Sequence, residues 1–350
     1  MLLPMPGVAV LAPFAFPSVR GNAVTVDRIA AGLRARGVEH RVWDLSAVDA
    51  AVVEREVEAY RPTVLHAFHA FRVGPLALRL ARRAEIPLVV TLTGTDANHD
   101  LFDPEHAVVT RRVLEGAAVI VAFHASIIER VGAALPDLRA RLVVVAQAAS
   151  LGGEPFDLDR RWPLPRGRVL FVFPAGIRPV KRPLLAAHAL DAVARAHPAL
   201  RLLYVGPVLD AAEGEALAAA LASRPWARHL GAVPHAQMAS LLAQSDVVLN
   251  CSISEGGMAN SVLEALALGR AVLASDIEGN RALVEHEVTG LTFRDEAELA
   301  ACAERLISDA RLRRKLGAAG RALVERRYPP SREIDGYVAV YHRLSPVASA

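Results

Sequence analysis

Short runs of Val, Leu and Ala recur along the whole chain, each separated from the next by a longer amphipathic stretch. A short apolar run bounded by turn residues suits a strand buried on both faces, and the longer stretches suit helices that cover it. Repeated strand, helix, strand units build parallel sheets, so the fold class is α/β. In the first half the pattern predicts strands at Gly7 to Ala12, Glu39 to Trp43, Val64 to His66, Leu88 to Leu92, Val119 to Ala122 and Leu142 to Val145, with helices over Thr25 to Arg36 and Gly74 to Ala84. In the second half strands are expected at Val169 to Phe173, Leu202 to Val205, Val247 to Asn250, Ala271 to Ala274 and Gly290 to Phe293.

The 350 residues exceed one typical domain, and 53% apolar residues provide more core than a single sheet needs. Gly, Pro, Asp and Arg cluster without periodicity between Ser150 and Gly167, which predicts an interdomain linker. The expected organisation is two Rossmann-like, doubly wound domains over 1–155 and 156–325. A tail over 326–350, carrying Tyr328, Ile334, Tyr337, Val338 and Tyr341, is expected to form a helix that packs back on the first domain. In open α/β sheets ligands bind at the carboxyl ends of strands, so the chemistry belongs in strand-to-helix loops.

Several classes are excluded. Charged residues, Pro or Gly interrupt every apolar stretch well before the roughly 20 residues of a membrane-spanning helix. Met1 to Pro17 has no basic residue ahead of its apolar run, which argues against a cleaved signal and for a cytoplasmic location. Cys251 and Cys302, the only cysteines, read as buried structural thiols. A net charge of +3 with no lysine run and no interleaved aromatics disfavours nucleic acid. His66 and His69 stand three apart with no carboxylate pair beside them in sequence, so no metal site is expected. His66 either borders the cleft or is a satisfied core residue.

The most informative segment runs from Asn250 to Gly269: a strand end, a glycine-containing loop and a short helix. Amides near Gly257, Met258, Ala259 and Asn260 at that helix start favour an anion, with diphosphate the natural candidate. Glu255 and Glu264 could accept sugar and ribose hydroxyls, since a carboxylate accepts hydrogen bonds at both oxygens. The alternative for Glu264 is a capping box with Ser261. Arg178 and Lys181 follow the strand Val169 to Phe173, where cations can neutralise a nucleoside-diphosphate leaving group, or can form a solvated cluster with Arg182. Gly21 and Asn22 precede the helix expected at Thr25, where their backbone could approach phosphate or acceptor, or simply turn.

Ser254-Glu255-Gly256, Glu264-Ala265-Leu266, Gly269, Val272 and the run from His286 to Phe293 resemble the donor-site signature of retaining glycosyltransferase family 4. Gly176 to Lys181, Val205-Gly206-Pro207 and Leu230 to Pro234 extend the likeness. Gly21 to Thr25, Thr93-Gly94-Thr95-Asp96-Ala97-Asn98 and Gly279-Asn280 are similar to the branch of proteins named for a single glycosyltransferase 1 domain, and Thr93 to Asp96 with Glu255-Gly256-Gly257 also to bacterial selenosugar synthases. The resemblance implies a GT-B fold and metal-independent, retaining transfer of a hexose or N-acetylhexosamine. The donor would be a nucleotide-diphospho-sugar, preferably of uridine, and the acceptor a small molecule, with selenium and sulfur nucleophiles among the candidates. No cofactor is implied.

The family pattern assigns Lys181 and Arg178 to the diphosphate. Glu255 with Gly256, Gly257, Met258 and Asn260 would hold sugar and phosphate, Glu264 the ribose, and Val233 the base through its backbone. Gly21, Asn22, Thr93, Asp96 and His66 would line the opposing wall. Three departures stand out: eight residues rather than seven separate Glu255 from Glu264, Arg178 lies three rather than five residues before Lys181, and Thr93 stands where many members have a sugar-contacting His. A sugar-nucleotide epimerase and a non-catalytic nucleotide-sugar binding protein are the alternative readings, since the same fold can serve either.

Overall fold

The computed structural model describes residues 7–15, 18, 21–255 and 258–344, which form two compact units. One comprises residues 1–148 and 330–350, the other 149–329.

The first unit holds β1 (Val8–Ala12), β2 (His40–Asp44), β3 (Val64–Phe68), β4 (Leu88–Thr91), β5 (Val119–Ala122) and β6 (Leu142–Val144), in the order β2-β1-β3-β4-β5-β6. Every neighbouring pair is parallel. β1, β3, β4 and β5 are buried at every position, the mark of strands covered by helices on both faces. The helix Gly21–Ala35 covers one face together with the helix Pro330–Leu344, whose Ile334, Tyr337, Val340 and Tyr341 share a cluster with Val8, Val10, Ile29 and Phe68. Gly32 permits that approach, because a Cβ there would stand 2.3 Å from Ile334 Cδ1. Arg28 and Glu333 fasten the same two helices through a buried double hydrogen bond at 2.7 and 2.9 Å, and Glu333 also accepts from the amide of Ala148.

The second unit holds β7 (Val169–Pro174), β8 (Leu200–Val205), β9 (Ala227–His229), β10 (Val247–Asn250), β11 (Ala271–Ser275) and β12 (Leu291–Phe293). Their order, β12-β11-β10-β7-β8-β9, is again wholly parallel. Residues 150–167, expected as an interdomain linker, belong to this unit. The amide of Phe156 donates to Ser240 Oγ, its carbonyl accepts from Gln244, and Leu158 is buried in the short helix Leu158–Arg161. β9 escapes the sequence pattern because Ala-Arg-His carries no apolar alternation. It is a three-residue edge strand. Cys251 and Cys302 are buried free thiols, and burial pushes both above the usual thiol range. No helix among the described residues is long and apolar enough to cross a membrane.

Candidate functional site

In the second sheet β7 and β10 are neighbours, yet β8 and β9 build outward from β7 while β11 and β12 build outward from β10. Where the winding reverses, the loops leaving the two carboxyl ends diverge and leave a crevice. The loop after β7 ends in the tight turn Pro179–Lys181, and the loop after β10 leads to the helix Asn260–Ala267. Two bonds pin these loops together. Ile253 donates its amide to the carbonyl of Val180 at 2.9 Å, and Arg182 Nε donates to the carbonyl of Cys251 at 2.7 Å.

Lys181 and Glu255 meet at the centre of this arrangement. Lys181 Nζ lies 2.5 Å from Glu255 Oε1 and 3.2 Å from Ser252 Oγ. Ser252 Oγ and Asn250 Nδ2 donate to the same carboxylate oxygen at 2.6 and 3.1 Å. Behind them, the buried Asn280 donates to Asn250 Oδ1 and to the carbonyl of Ser275, which joins the ends of β10 and β11. Burial alone would raise the pKa of Glu255, but the Lys181 charge and the donors from Lys181, Ser252 and Asn250 outweigh it and hold the carboxyl below its ordinary value. Gly279 explains part of this loop's shape: a Cβ there would stand 2.6 Å from Glu255 Cβ.

The helix Asn260–Ala267 has Ala259 at its N-cap, and no side chain caps it. The start of a helix, with its amides and its dipole, is where an anion is favoured. The capping box is overturned. Ser261 sits one residue inside the helix rather than at its cap, and the Glu264 carboxylate meets His235 Nε2 at 2.8 Å. Met258 and Val233 have buried side chains, so only their backbones can serve a ligand. Arg178 lies exposed at the entry to the Pro179–Lys181 turn. Gly256 and Gly257 lie outside the described residues.

The first unit divides the expected wall residues. Asn22 Nδ2 donates to Thr93 Oγ1 at 3.3 Å, so these two stand together. Gly21 and Asn22 open the helix Gly21–Ala35 instead of forming a turn before it. Asp96 does not line an open wall: it is fully buried, and its carboxylate accepts from the amides of Ala70, Thr93, Gly94 and Ala97. Backbone amides fill its acceptor positions, and Gly94 adopts φ +137° within the loop it ties. His66 is likewise a core residue. β3 continues to Phe68, which places His66 in mid-strand with no exposure and with both ring nitrogens occupied, by Tyr341 Oη at 2.6 Å and Thr91 Oγ1 at 2.7 Å. Burial lowers its pKa to about 3.

Asn250, Ser252 and His235 are site residues that sequence reasoning passed over. Asn250 and Ser252 flank the signature loop, where their strand-end position was the available signal. His235 adjoins the Val233-Pro234 pair, but its partner is 29 residues away and no local pattern announces it. Among the described residues, no three His, Cys, Asp or Glu side chains gather as they would around a metal ion.

Residues 168–309 match the family described as glycosyl transferases group 1. The chain is 30% identical over 318 residues to the D-inositol 3-phosphate glycosyltransferase of Frankia alni, covering 82% of this chain and 76% of that protein. It is 27% identical over 324 residues to the glycosyltransferase 1 domain-containing protein 1 of Xenopus tropicalis, covering 91% and 92%. Among solved structures, Anabaena HepE in complex with UDP and glucose superposes with a TM-score of 0.79 at 17% identity, over 97% of this chain and all of that one. Sucrose-phosphate synthase from Thermosynechococcus elongatus gives 0.78 at 17% identity, over 97% and 98%. The fold these structures share with the chain is GT-B.

Proposed function

Because the chain belongs to the glycosyl transferases of group 1, we propose that it moves a hexose or N-acetylhexosamine from a UDP-sugar to a small acceptor, with retention of anomeric configuration and without a metal. The observation that carries the donor assignment is the Lys181–Glu255 pair at the winding reversal of the second sheet, beside a helix start with no capping side chain. Uridine is favoured by HepE, which was solved with UDP and glucose. A small acceptor is favoured by the Frankia relative, named for D-inositol 3-phosphate.

In this reading Lys181 turns from Glu255 to the diphosphate and neutralises the charge that grows there as the glycosidic bond breaks, with Arg178 nearby and the amides at Met258 to Asn260 adding donors. Glu255, an anion, then accepts from hydroxyls of the sugar. Glu264 accepts from the ribose, and the backbone at Val233 meets the base. The acceptor attacks on the face from which the diphosphate leaves, and a diphosphate oxygen takes its proton, so no protein base is needed. The remaining protein task is positioning. Asn22 and Thr93 are the first unit's candidates for acceptor contact.

A thermal-shift screen of nucleoside-diphospho-sugars tests the donor class, since a true donor at a hundredfold excess over its Kd adds about 2.7 kcal/mol of stability. Stabilisation by UDP-sugars that persists in excess EDTA is expected. Unchanged UDP affinity in both Lys181→Ala and Glu264→Ala would overturn the site, and strict dependence of sugar transfer on Mg²⁺ or Mn²⁺ would overturn metal independence.

A further inference from the structure

Glu264 sits in the helix Asn260–Ala267 with a nearly buried side chain, 7% exposed. A glutamate with three side-chain torsions can present its carboxylate in many orientations, and its terminal torsion is the softest of them. Something must choose one orientation if that carboxylate is to meet a defined hydroxyl.

His235 is placed to do so. It is the first residue of the helix His235–Ala243, and its Nε2 lies 2.8 Å from Glu264 Oε1. A carboxylate can only accept, so Nε2 carries the proton and donates it. The backbone beside His235 is itself fixed. The carbonyl of Ala236 accepts from the amide of Glu154 at 3.0 Å, and Gly152 lies so close that a Cβ would stand 2.3 Å from that carbonyl oxygen. Among the described residues no other group bonds to the Glu264 carboxylate. One oxygen is therefore committed to His235, and Oε2 remains for a ligand.

We propose that His235 is a positioning residue that holds Glu264 with Oε2 turned toward a ribose hydroxyl, and thereby sets the preference of the site for ribonucleotides over 2′-deoxyribonucleotides. The inference rests on the reading of Glu264 as the ribose contact. It follows the logic of metal sites, where a group that bonds a ligand's far atom fixes the orientation of its near one.

The test compares UDP with 2′-deoxy-UDP by calorimetry on the full chain, with unfolding midpoints recorded for every variant. The wild-type protein is expected to favour UDP by about tenfold, the value of one hydrogen bond to a charged group. His235→Ala is expected to weaken UDP by about the same factor and 2′-deoxy-UDP by less than about twofold, so that the ratio collapses toward one. His235→Gln, whose terminal amide can donate from nearly the same place, is expected to restore most of the ratio. Equal weakening of both nucleotides in His235→Ala, an unchanged ratio, or failure of Gln to outperform Ala overturns the role. Glu264→Ala separates the two failures: if it collapses the ratio while His235→Ala does not, only the assignment of His235 falls. If Glu264→Ala leaves the ratio intact, the ribose reading falls and this inference with it.

Discussion

Asp96 and Glu255 are both carboxylates that follow the carboxyl end of a parallel strand, Asp96 at the start of the short helix Asp96–Asp100 and Glu255 in a loop, and the donors seen to hold them differ in kind. Asp96 is saturated by main-chain amides from Ala70, Thr93, Gly94 and Ala97. The Glu255 carboxylate accepts from the side chains of Lys181, Ser252 and Asn250. Amides cannot leave without unfolding the loop, whereas an ammonium on a flexible stem can turn to a phosphate at little cost. A polar residue at a strand end therefore reads as architecture or as binding site according to which class of donor satisfies it. His66 belongs with Asp96: its bonds to Tyr341 and Thr91 lie within the core.

This contrast can be broken at several points. Asp96→Ala strands several buried amides at once, and a loss of about 3 to 5 kcal/mol by urea unfolding is expected, from about 1 to 3 kcal/mol for each buried donor left unpaired. A loss below about 1 kcal/mol would return Asp96 to the ligand-binding candidates.

His66 adds a pH signature. Its folded pKa of about 3 lies below the unfolded 6.5, so the unfolded chain binds a proton between those values that the folded chain refuses. Its stabilising effect is complete above pH 6.5 and declines as pH falls toward 3, by up to about 1.4 kcal/mol per unit. His66→Gln should flatten the unfolding free energy across that window relative to wild type. Equal slopes would refute the buried neutral state.

Lys181→Ala should behave in the opposite manner to Asp96→Ala: UDP affinity falls about a hundredfold, some 2.7 kcal/mol, while urea stability changes less than in Asp96→Ala because Glu255 keeps Asn250 and Ser252. If stability collapsed and affinity held, the pair would be structural and the contrast would fail. Gly279→Ala is the mildest probe. Its new methyl presses on Glu255 Cβ, and a drop in UDP affinity of about tenfold with a normal unfolding midpoint is expected. No change in affinity would mean that the loop after β10 yields freely.

The same distinction explains what could be read from the sequence. Strands buried on both faces, such as Val119–Ala122 and Val247–Asn250, were legible to the residue because burial there demands an unbroken apolar run. The sequence pattern ends the strand through His66 two residues short of Phe68, since a histidine in sequence resembles a strand end, and only Tyr341, 275 positions away, makes it a core residue. Glu264 satisfied a capping rule on paper, but His235 claims it in space. Lys181 and Glu255 were legible as a pair through the family pattern. Their supports Asn250, Ser252 and Asn280 form a network of ordinary polar residues that local chemistry alone does not single out.

The helix Pro330–Leu344 belongs to the first unit although the chain completes the second unit before reaching it. On a ribosome, the socket lined by Val10, Ile29 and Phe68 would therefore emerge without its cover. At about 5 to 20 residues per second, translation of the intervening Ala149–Pro329 stretch lasts on the order of ten to forty seconds. Throughout that interval the nascent first unit displays apolar surface of the kind that chaperones grasp. Only once the Pro330–Leu344 segment has followed can Arg28 acquire Glu333 and both halves be native.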